Sequence, residues 1–410
     1  MVNEEQDTAA RRCKFAARDV FPAFLLLGLT SFGGPVAHLA YFRREFVQRR
    51  HWLSEQAYAE LVALCQFLPG PSSSQVGMAL GMRRAGIPGA LAAWLGFTLP
   101  SALLMIAAAY GVANLSGLAH APWLHGLKLA AVSIVAHAVW SMGRQLCVGG
   151  LRLAIAAGAT LLCIAYPHAW SQLGAITAGG VLGWRLLDGI VAGEAMQERT
   201  PYRRRWGVAA LALFALGLIG LSPLAAWSDS HSVAVFDAFY RSGALVFGGG
   251  HVVLPLLDAE TVGRGWLSAD TFLAGYGIAQ AVPGPLFTFA AFLGCSMTAA
   301  PNGWTGAAIA LLGLFLPSFL LLVGALPFWD RLRRSTDAQA ALCGVNAAVV
   351  GLLAAAFYSP VMSSTVHTPA DGLAAALGLA LLIAGNAPGW LVVAFCVTAT
   401  SLLPGVFGII

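Results

Sequence analysis

One series of motifs occurs twice, in the same order, in this chain of 410 residues. Phe32-Gly33-Gly34, Trp52-Leu53-Ser54, Pro69-Gly70-Pro71 and Leu99-Pro100-Ser101 return as Phe247-Gly248-Gly249, Trp266-Leu267-Ser268, Pro283-Gly284-Pro285 and Leu316-Pro317-Ser318. The Trp lies 17 residues before the Pro-Gly-Pro in both copies, and the flanking intervals differ by only one to three residues. A sequence of this kind folds as two related halves. Proline removes a backbone donor and glycine permits sharp turns, so each half also carries built-in helix breaks at matched places.

The solvent of those halves follows from composition: 58% of the residues are hydrophobic and 10% charged, where a soluble domain carries roughly 25% charged residues. Mean hydropathy is +0.75. Apolar stretches recur at the ~17 to 25 residues that cross a bilayer as a helix, and strand-like alternation is absent. The fold class expected is therefore an all-α integral membrane protein, a polytopic helical bundle. The net charge of +5 comes largely from short arginine clusters between apolar segments. Such clusters set topology, so no nucleic-acid partner is expected. The seven cysteines form no CxxC pair and no Cys/His grouping at ligand spacing, which leaves no expected metal or cofactor. A duplicated apolar chain with broken helices points to a secondary transporter with its site where the halves meet, and no nucleophile–base pair or phosphate loop points to an enzyme.

Charge counting divides the chain into a polar segment 1–18 with no signal-peptide cleavage site, a first repeat 19–190, a basic linker plus one span 191–230, and a second repeat 231–410. Only one apolar segment separates the basic clusters at Arg11–Arg18 and Arg43–Arg50. A hairpin broken at Gly33-Gly34-Pro35 keeps both on the cytoplasmic side. A second hairpin, broken at Pro69-Gly70-Pro71, follows at about 56–82. Ordinary spans are expected near 86–112, 122–143, 151–168 and 171–187. The unduplicated span near 206–227 then inverts the second repeat, whose spans fall near 304–328, 340–358, 371–387 and 389–407. The alternative is that the broken segments are full spans.

At a helix break inside the membrane, the second half-helix points free N–H groups and the positive end of its dipole into the gap, a setting for an anion. Ser72, Ser73, Ser74 and Gln75 follow the first break, and they serve either as such donors or as helix caps. The second copy reads Gly284-Pro285-Leu286-Phe287-Thr288, with Thr288 as its hydroxyl. Gln66 and Gln280 stand three residues before the breaks, as ligand contacts or as inter-helix bonds. The expected binding set is Gly33, Gly34, Gln66, Pro69, Gly70, Pro71, Ser72, Ser73, Ser74, Gln75, Gly248, Gly249, Gln280, Gly284 and Thr288. His38, Glu60 and His251 are candidates for proton coupling, since intramembrane ionisable groups are functional candidates by default. Arg43 and Arg44 head a basic vestibule. Lys128 either snorkels to the interface or touches the anion.

The run FGGPVAHLAYFRREFVQRRHWLSEQAYAELVALCQFLPGPSSSQVGMALG, with its weaker echo FGGGHVVLPLLDAETVGRGWLS and QAVPGP, resembles the chromate ion transporter family in its long, two-domain form. The resemblance covers about 19–407. It implies export of chromate across the bacterial inner membrane, chromate resistance and use of the proton motive force, with sulfate as a related substrate of the same charge and shape. The partners so implied are the oxyanion and membrane lipid, with a homodimer as an option. A passive oxyanion channel is the competing reading.

Overall fold

The computed structural model describes residues 18–114, 122–187, 204–385 and 387–408. Residues 1–17 of the expected N-terminal segment and most of the basic linker, Arg199 and Arg203 included, lie outside the described residues. Among the described residues every regular element is helical. The first half runs α1 (residues 18–30), α2 (Gly34–Phe42, continued by a π-helical turn Arg43–Arg49), α3 (Glu55–Phe67), α4 (Ser72–Asn114), α5 (Pro122–Leu146), α6 (Gly150–Ala165) and α7 (Ala169–Leu186). After α8 (Arg204–Ser228) come α9 (His231–Ala244), α10 (Val253–Thr261), α11 (Ala269–Ala281), α12 (Phe289–Ser296), α13 (Gly303–Ala325), α14 (Trp329–Arg334), α15 (Thr336–Ala356), α16 (Pro369–Ile383) and α17 (Gly389–Leu402).

Apart from α14, which has no counterpart among the described residues of the first half, the two series match helix for helix. α4 leaves helical geometry at Ala85 and Gly86, so its short first part and long second part correspond to α12 and α13. Each pair folds back closely: a Cβ on Gly81 would strike the Gly89 carbonyl, and one on Gly294 the Gly306 carbonyl. The serine of each Trp-Leu-Ser is an N-cap. Ser54 Oγ accepts the Ala57 N–H at 3.2 Å and Ser268 Oγ the Thr271 N–H at 3.2 Å, which starts α3 and α11 at the same point of each repeat.

The halves are interlocked. α5 packs on α16 and α17, while its counterpart α15 packs on α6 and α7. Small residues let these backbones approach. A Cβ on Gly126 of α5 would lie 2.6 Å from the α17 backbone at Val397, and a Cβ on the matched Gly344 of α15 would lie 2.7 Å from Gly183 Cα in α7. One step along, Ser133 Oγ donates to the Ala375 carbonyl at 2.9 Å, and the matched Gly351 carbonyl accepts from Thr160 Oγ1 at 3.1 Å.

Among the described residues, five helices are long and apolar enough to cross a membrane. α6, α16 and α17, expected as full spans, have 16, 15 and 14 residues, which at 1.5 Å per residue is about 21–24 Å, short of a hydrocarbon core of roughly 30 Å. The apolar windows run on past the helix ends because a following turn can be apolar too, as Leu403-Pro404-Gly405-Val406-Phe407 is after α17. α8 lies on the outside of the bundle, with only 6% of its most apolar window buried and Leu216, Ile219 and Trp227 exposed.

Candidate functional site

The Pro-Gly-Pro tips meet the other half's Phe-Gly-Gly segments, and they do so reciprocally. Gly70 donates its N–H to the carbonyl of Val246 at 2.6 Å; Gly284 donates its N–H to the carbonyl of Ser31 at 2.8 Å. Val246 and Ser31 are the residues immediately before Phe247 and Phe32. Broken backbone at membrane depth needs partners outside its own helix, and each half supplies them to the other. Both glycines hold φ in the left-handed region, +123° and +97°. Both also leave no room for a side chain: a Cβ on Gly284 would lie 2.8 Å from Ser101 Oγ, and one on Gly70 would overlap Ser318 Oγ. Ser101 and Ser318 are the serines of the two Leu-Pro-Ser motifs, so three of the four repeated motifs meet at these breaks, while Trp-Leu-Ser starts the helix that leads to each Pro-Gly-Pro. The Phe-Gly-Gly segments also face each other, with Pro35 Cγ 3.6 Å from where a Cβ on Gly250 would stand.

Side chains around the first tip are buried and incompletely bonded. Gln75 is fully buried; its Nε2 donates to the Pro69 carbonyl at 2.8 Å, fastening the break, and its Oε1 has no partner. Ser73 Oγ lies 3.3 Å from Nδ1 of buried His38. Ser31, Ser74 and Ser318 are buried hydroxyls without a partner among the described residues. An unpaired buried hydroxyl costs roughly 1–3 kcal/mol, so such groups mark a place where a ligand or water completes the bonding. Ser72 is half-buried at the start of the half-helix.

Other expected members stand differently. Thr288 donates its hydroxyl proton to the Pro285 carbonyl at 2.9 Å, within the turn before α12. Gln66 is exposed on α3, whereas Gln280 is half-buried with Nε2 unpaired and lies beside Gly389 of α17. The matched glutamines therefore do not share an environment, because the helices packed against α3 and α11 differ. His251 Nδ1 lies 2.7 Å from the Tyr276 hydroxyl, and Glu60 is half-buried with one oxygen unpaired. The glycines of the Phe-Gly-Gly breaks, Gly33, Gly34, Gly248 and Gly249, are exposed or half-buried. The basic vestibule is partly paired, with two carboxylates among its four arginines. Arg43 makes a two-pronged pair with Glu55 at 2.8 and 2.9 Å, and Glu45 takes Arg49 at 3.1 Å and Arg50 at 2.5 Å. Arg44 is exposed. Lys128 Nζ pairs with Asp270 of the second half at 2.9 Å.

Sequence reasoning missed three serines. Ser101 and Ser318 carried a signal, being inside a duplicated motif, but a serine after a helical proline reads as packing until the opposite tip is seen against it. Ser31 carried none, since its counterpart is Val246.

The chain matches the family described as "Chromate transporter" over residues 18–184 and again over 233–401. It is 32% identical to the chromate transport protein of Pseudomonas aeruginosa over 341 residues, covering 82% of this chain and 79% of that protein. It is 28% identical to the chromate transport protein of Cupriavidus metallidurans over 375 residues, covering 90% and 88%. It is also 28% identical to the probable chromate transport protein of Synechococcus elongatus over 347 residues, covering 83% and 84%. No solved structure matches the chain.

Proposed function

Because this multi-pass membrane protein belongs to the chromate transporter family, we propose that it carries chromate, a tetrahedral dianion, through the place where its four backbone breaks come together. The observation that carries this reading is the reciprocal pairing of Gly70 with Val246 and Gly284 with Ser31, bordered by the unpaired buried hydroxyls of Ser31, Ser74 and Ser318. Hydroxyl donors with the N-terminus of the half-helix at Ser72 suit a dianion without a fixed positive charge in the membrane, where such a charge is expensive. The first repeat supplies most side-chain donors, and the second supplies backbone.

In this reading the repeats, 19–190 and 231–410, are inverted with α8 between them, and the reciprocal bonds are what a two-fold relation between the halves would produce. The protein is a secondary transporter of the bacterial inner membrane that exports chromate and so confers resistance, with sulfate as a competing oxyanion. An inside-negative potential favours exit of the dianion by about 2.3 kcal/mol per charge per 100 mV, and the proton motive force supplies the remainder.

Chromate uptake into everted vesicles tests the function. Accumulation against the electrochemical gradient is expected, and equilibration without accumulation would establish a channel instead. The site is tested by the combined Ser31, Ser73, Ser74 and Ser318 alanine variant: it should insert normally and lose transport, and wild-type transport would refute the site. Competition by unlabelled sulfate measures selectivity.

A further inference from the structure

The repeat extends beyond its four motifs. Glu45-Phe46-Val47-Gln48-Arg49 returns as Glu260-Thr261-Val262-Gly263-Arg264, each shortly before Trp-Leu-Ser. Both glutamates are buried, 8% and 5% exposed, and each pairs with its own arginine four residues on, at 3.1 and 2.6 Å. In the first copy the second partner is the nearby Arg50. In the second copy it is Arg241 of α9 at 2.9 Å, and Arg241 also reaches Asp237 at 3.2 Å. Ser222 of α8 donates to both oxygens of Asp237 at 2.9 and 3.0 Å. Two carboxylates and two guanidiniums thus form one connected group. The positions matching Asp237 and Arg241 in the first half are Pro22 and Leu26, so only the second half holds it.

This group is not sealed. Ser222, Arg241 and Glu260 line a cavity of about 510 Å³ between α7, α8, α9 and α10, with Gln172, Leu218 and Leu256 among its other walls. Its other walls are mostly apolar, so the side chains of Ser222, Arg241, Glu260 and Gln172 are where water in it finds hydrogen-bond partners.

We propose that the Asp237–Arg241–Glu260–Arg264 group, with Glu260 as the acceptor, is where the transport cycle takes up its coupling proton from water in this cavity. The inference rests on the transporter reading above. In the ionised state the four charges cancel. A proton from the cavity water, added to a Glu260 carboxylate oxygen, ends that carboxylate's ion pairs with Arg241 and Arg264 and leaves the group with one net positive charge. Arg241, whose buried Nε has no acceptor among the described residues, then keeps Asp237 alone. α9 carries this change to the oxyanion site, because its end continues through Leu245, a wall of the cavity, to Val246, whose carbonyl holds the Gly70 tip at 2.6 Å.

The surrounding ionisable groups are few. Asp258 shares α10 and has one oxygen unpaired, His231 begins α9 against Trp266, and Tyr240 of α9 donates its hydroxyl to the Phe214 carbonyl at 3.0 Å. α13 has no ionisable side chain, α11 has Asp270 and Tyr276, and those of α15 are Asp337 and Cys343 in its first half. The only ionisable residues of α7 and α8 are Arg185, Arg204 and Arg205, at the ends remote from Gln172 and Ser222. His38 and His251 have one hydroxyl partner each. Protonating either adds charge without releasing an ion pair, which distinguishes the four-charge group from them.

The test uses purified full-length protein in liposomes at zero membrane potential. One pH unit across the membrane is 1.36 kcal/mol per coupled proton, about a tenfold chromate accumulation. Wild type should reach it, while Glu260→Gln and, separately, Asp237→Asn should fall to no accumulation yet still exchange labelled for unlabelled chromate. A second readout needs no substrate: infrared titration should show a protonated buried carboxyl in wild type as pH falls, absent in Glu260→Gln. Accumulation by both variants equal to wild type, or an unchanged carboxyl band in Glu260→Gln, would overturn the proposal. Absence of chromate exchange in wild type would instead overturn the transporter reading, with the infrared titration still deciding whether Glu260 is the acceptor.

Discussion

Replacing Gly70 with alanine separates the two requirements that the Pro-Gly-Pro tip places on its middle residue. The first is backbone: at φ +123° a side chain strains the chain by about 1–3 kcal/mol. The second is space, because the new Cβ meets Ser318 Oγ and lies 2.9 Å from Gln75 Nε2 and 3.0 Å from Ser318 Cβ. Overpacking of this kind costs about 1–3 kcal/mol more. Gly34→Ala is the control. Its φ is +77° and nothing stands within 4 Å of the added carbon, so it carries strain alone, about 1–2 kcal/mol. The expected loss for Gly70→Ala is then about 2–6 kcal/mol, read by equilibrium unfolding in mixed micelles. Ser318→Ala removes the clashing oxygen, so the double variant should recover part of the loss, with a coupling of about 0.5–3 kcal/mol. Gly284→Ala, against Ser101 Oγ at 2.8 Å, should behave as a partner to Gly70→Ala. Equal losses for Gly34→Ala and Gly70→Ala, or strict additivity with Ser318→Ala, would refute the claim that the tips are packed against the opposite half.

Single Ser31→Ala, Ser74→Ala and Ser318→Ala variants should each leave stability unchanged or raise it by about 1 kcal/mol, since an unpaired buried hydroxyl is removed; a measurable loss in unfolding free energy would show a structural partner. Chromate uptake by each should fall in the same preparations. Gly344→Ala, whose Cβ would press on the α7 backbone, should cost about 1–3 kcal/mol of stability, whereas Gly111→Ala, with open space around it, should be neutral in the same assay. Exchanging the charges of Lys128 and Asp270 should retain assembly, and Lys128→Asp alone should lower thermal stability by placing two carboxylates where the halves touch.

The breaks at Phe-Gly-Gly and Pro-Gly-Pro and the all-helical class were legible in the chain because each rests on local chemistry: a missing N–H, a positive φ, or an apolar run long enough for a bilayer. The short helices α6, α16 and α17 were misjudged because apolar turns and apolar helices look alike to a window of hydropathy. How the arginines around Glu45 divide between its carboxylate and that of Glu55 was not legible, because sequence shows charge and not pairing.

By itself the sequence determined that the molecule is two copies of one broken-helix plan in a membrane, since duplication and composition need no partner to be read. Only the tertiary structure decided which break meets which. Gly70 could have met its own half or the other, and the choice of Val246, like that of Ser31 for Gly284, depends on α5 and α15 crossing between the halves. Packing also decided the chemistry: it brought Ser31, Ser74 and Ser318 into burial without partners, and within the second half the contact of α9 with α10 gathered Asp237, Arg241, Glu260 and Arg264, spread over 28 positions of chain, into one group. Burial and pairing are properties of what packs against a residue, and neighbours remote in sequence settle both.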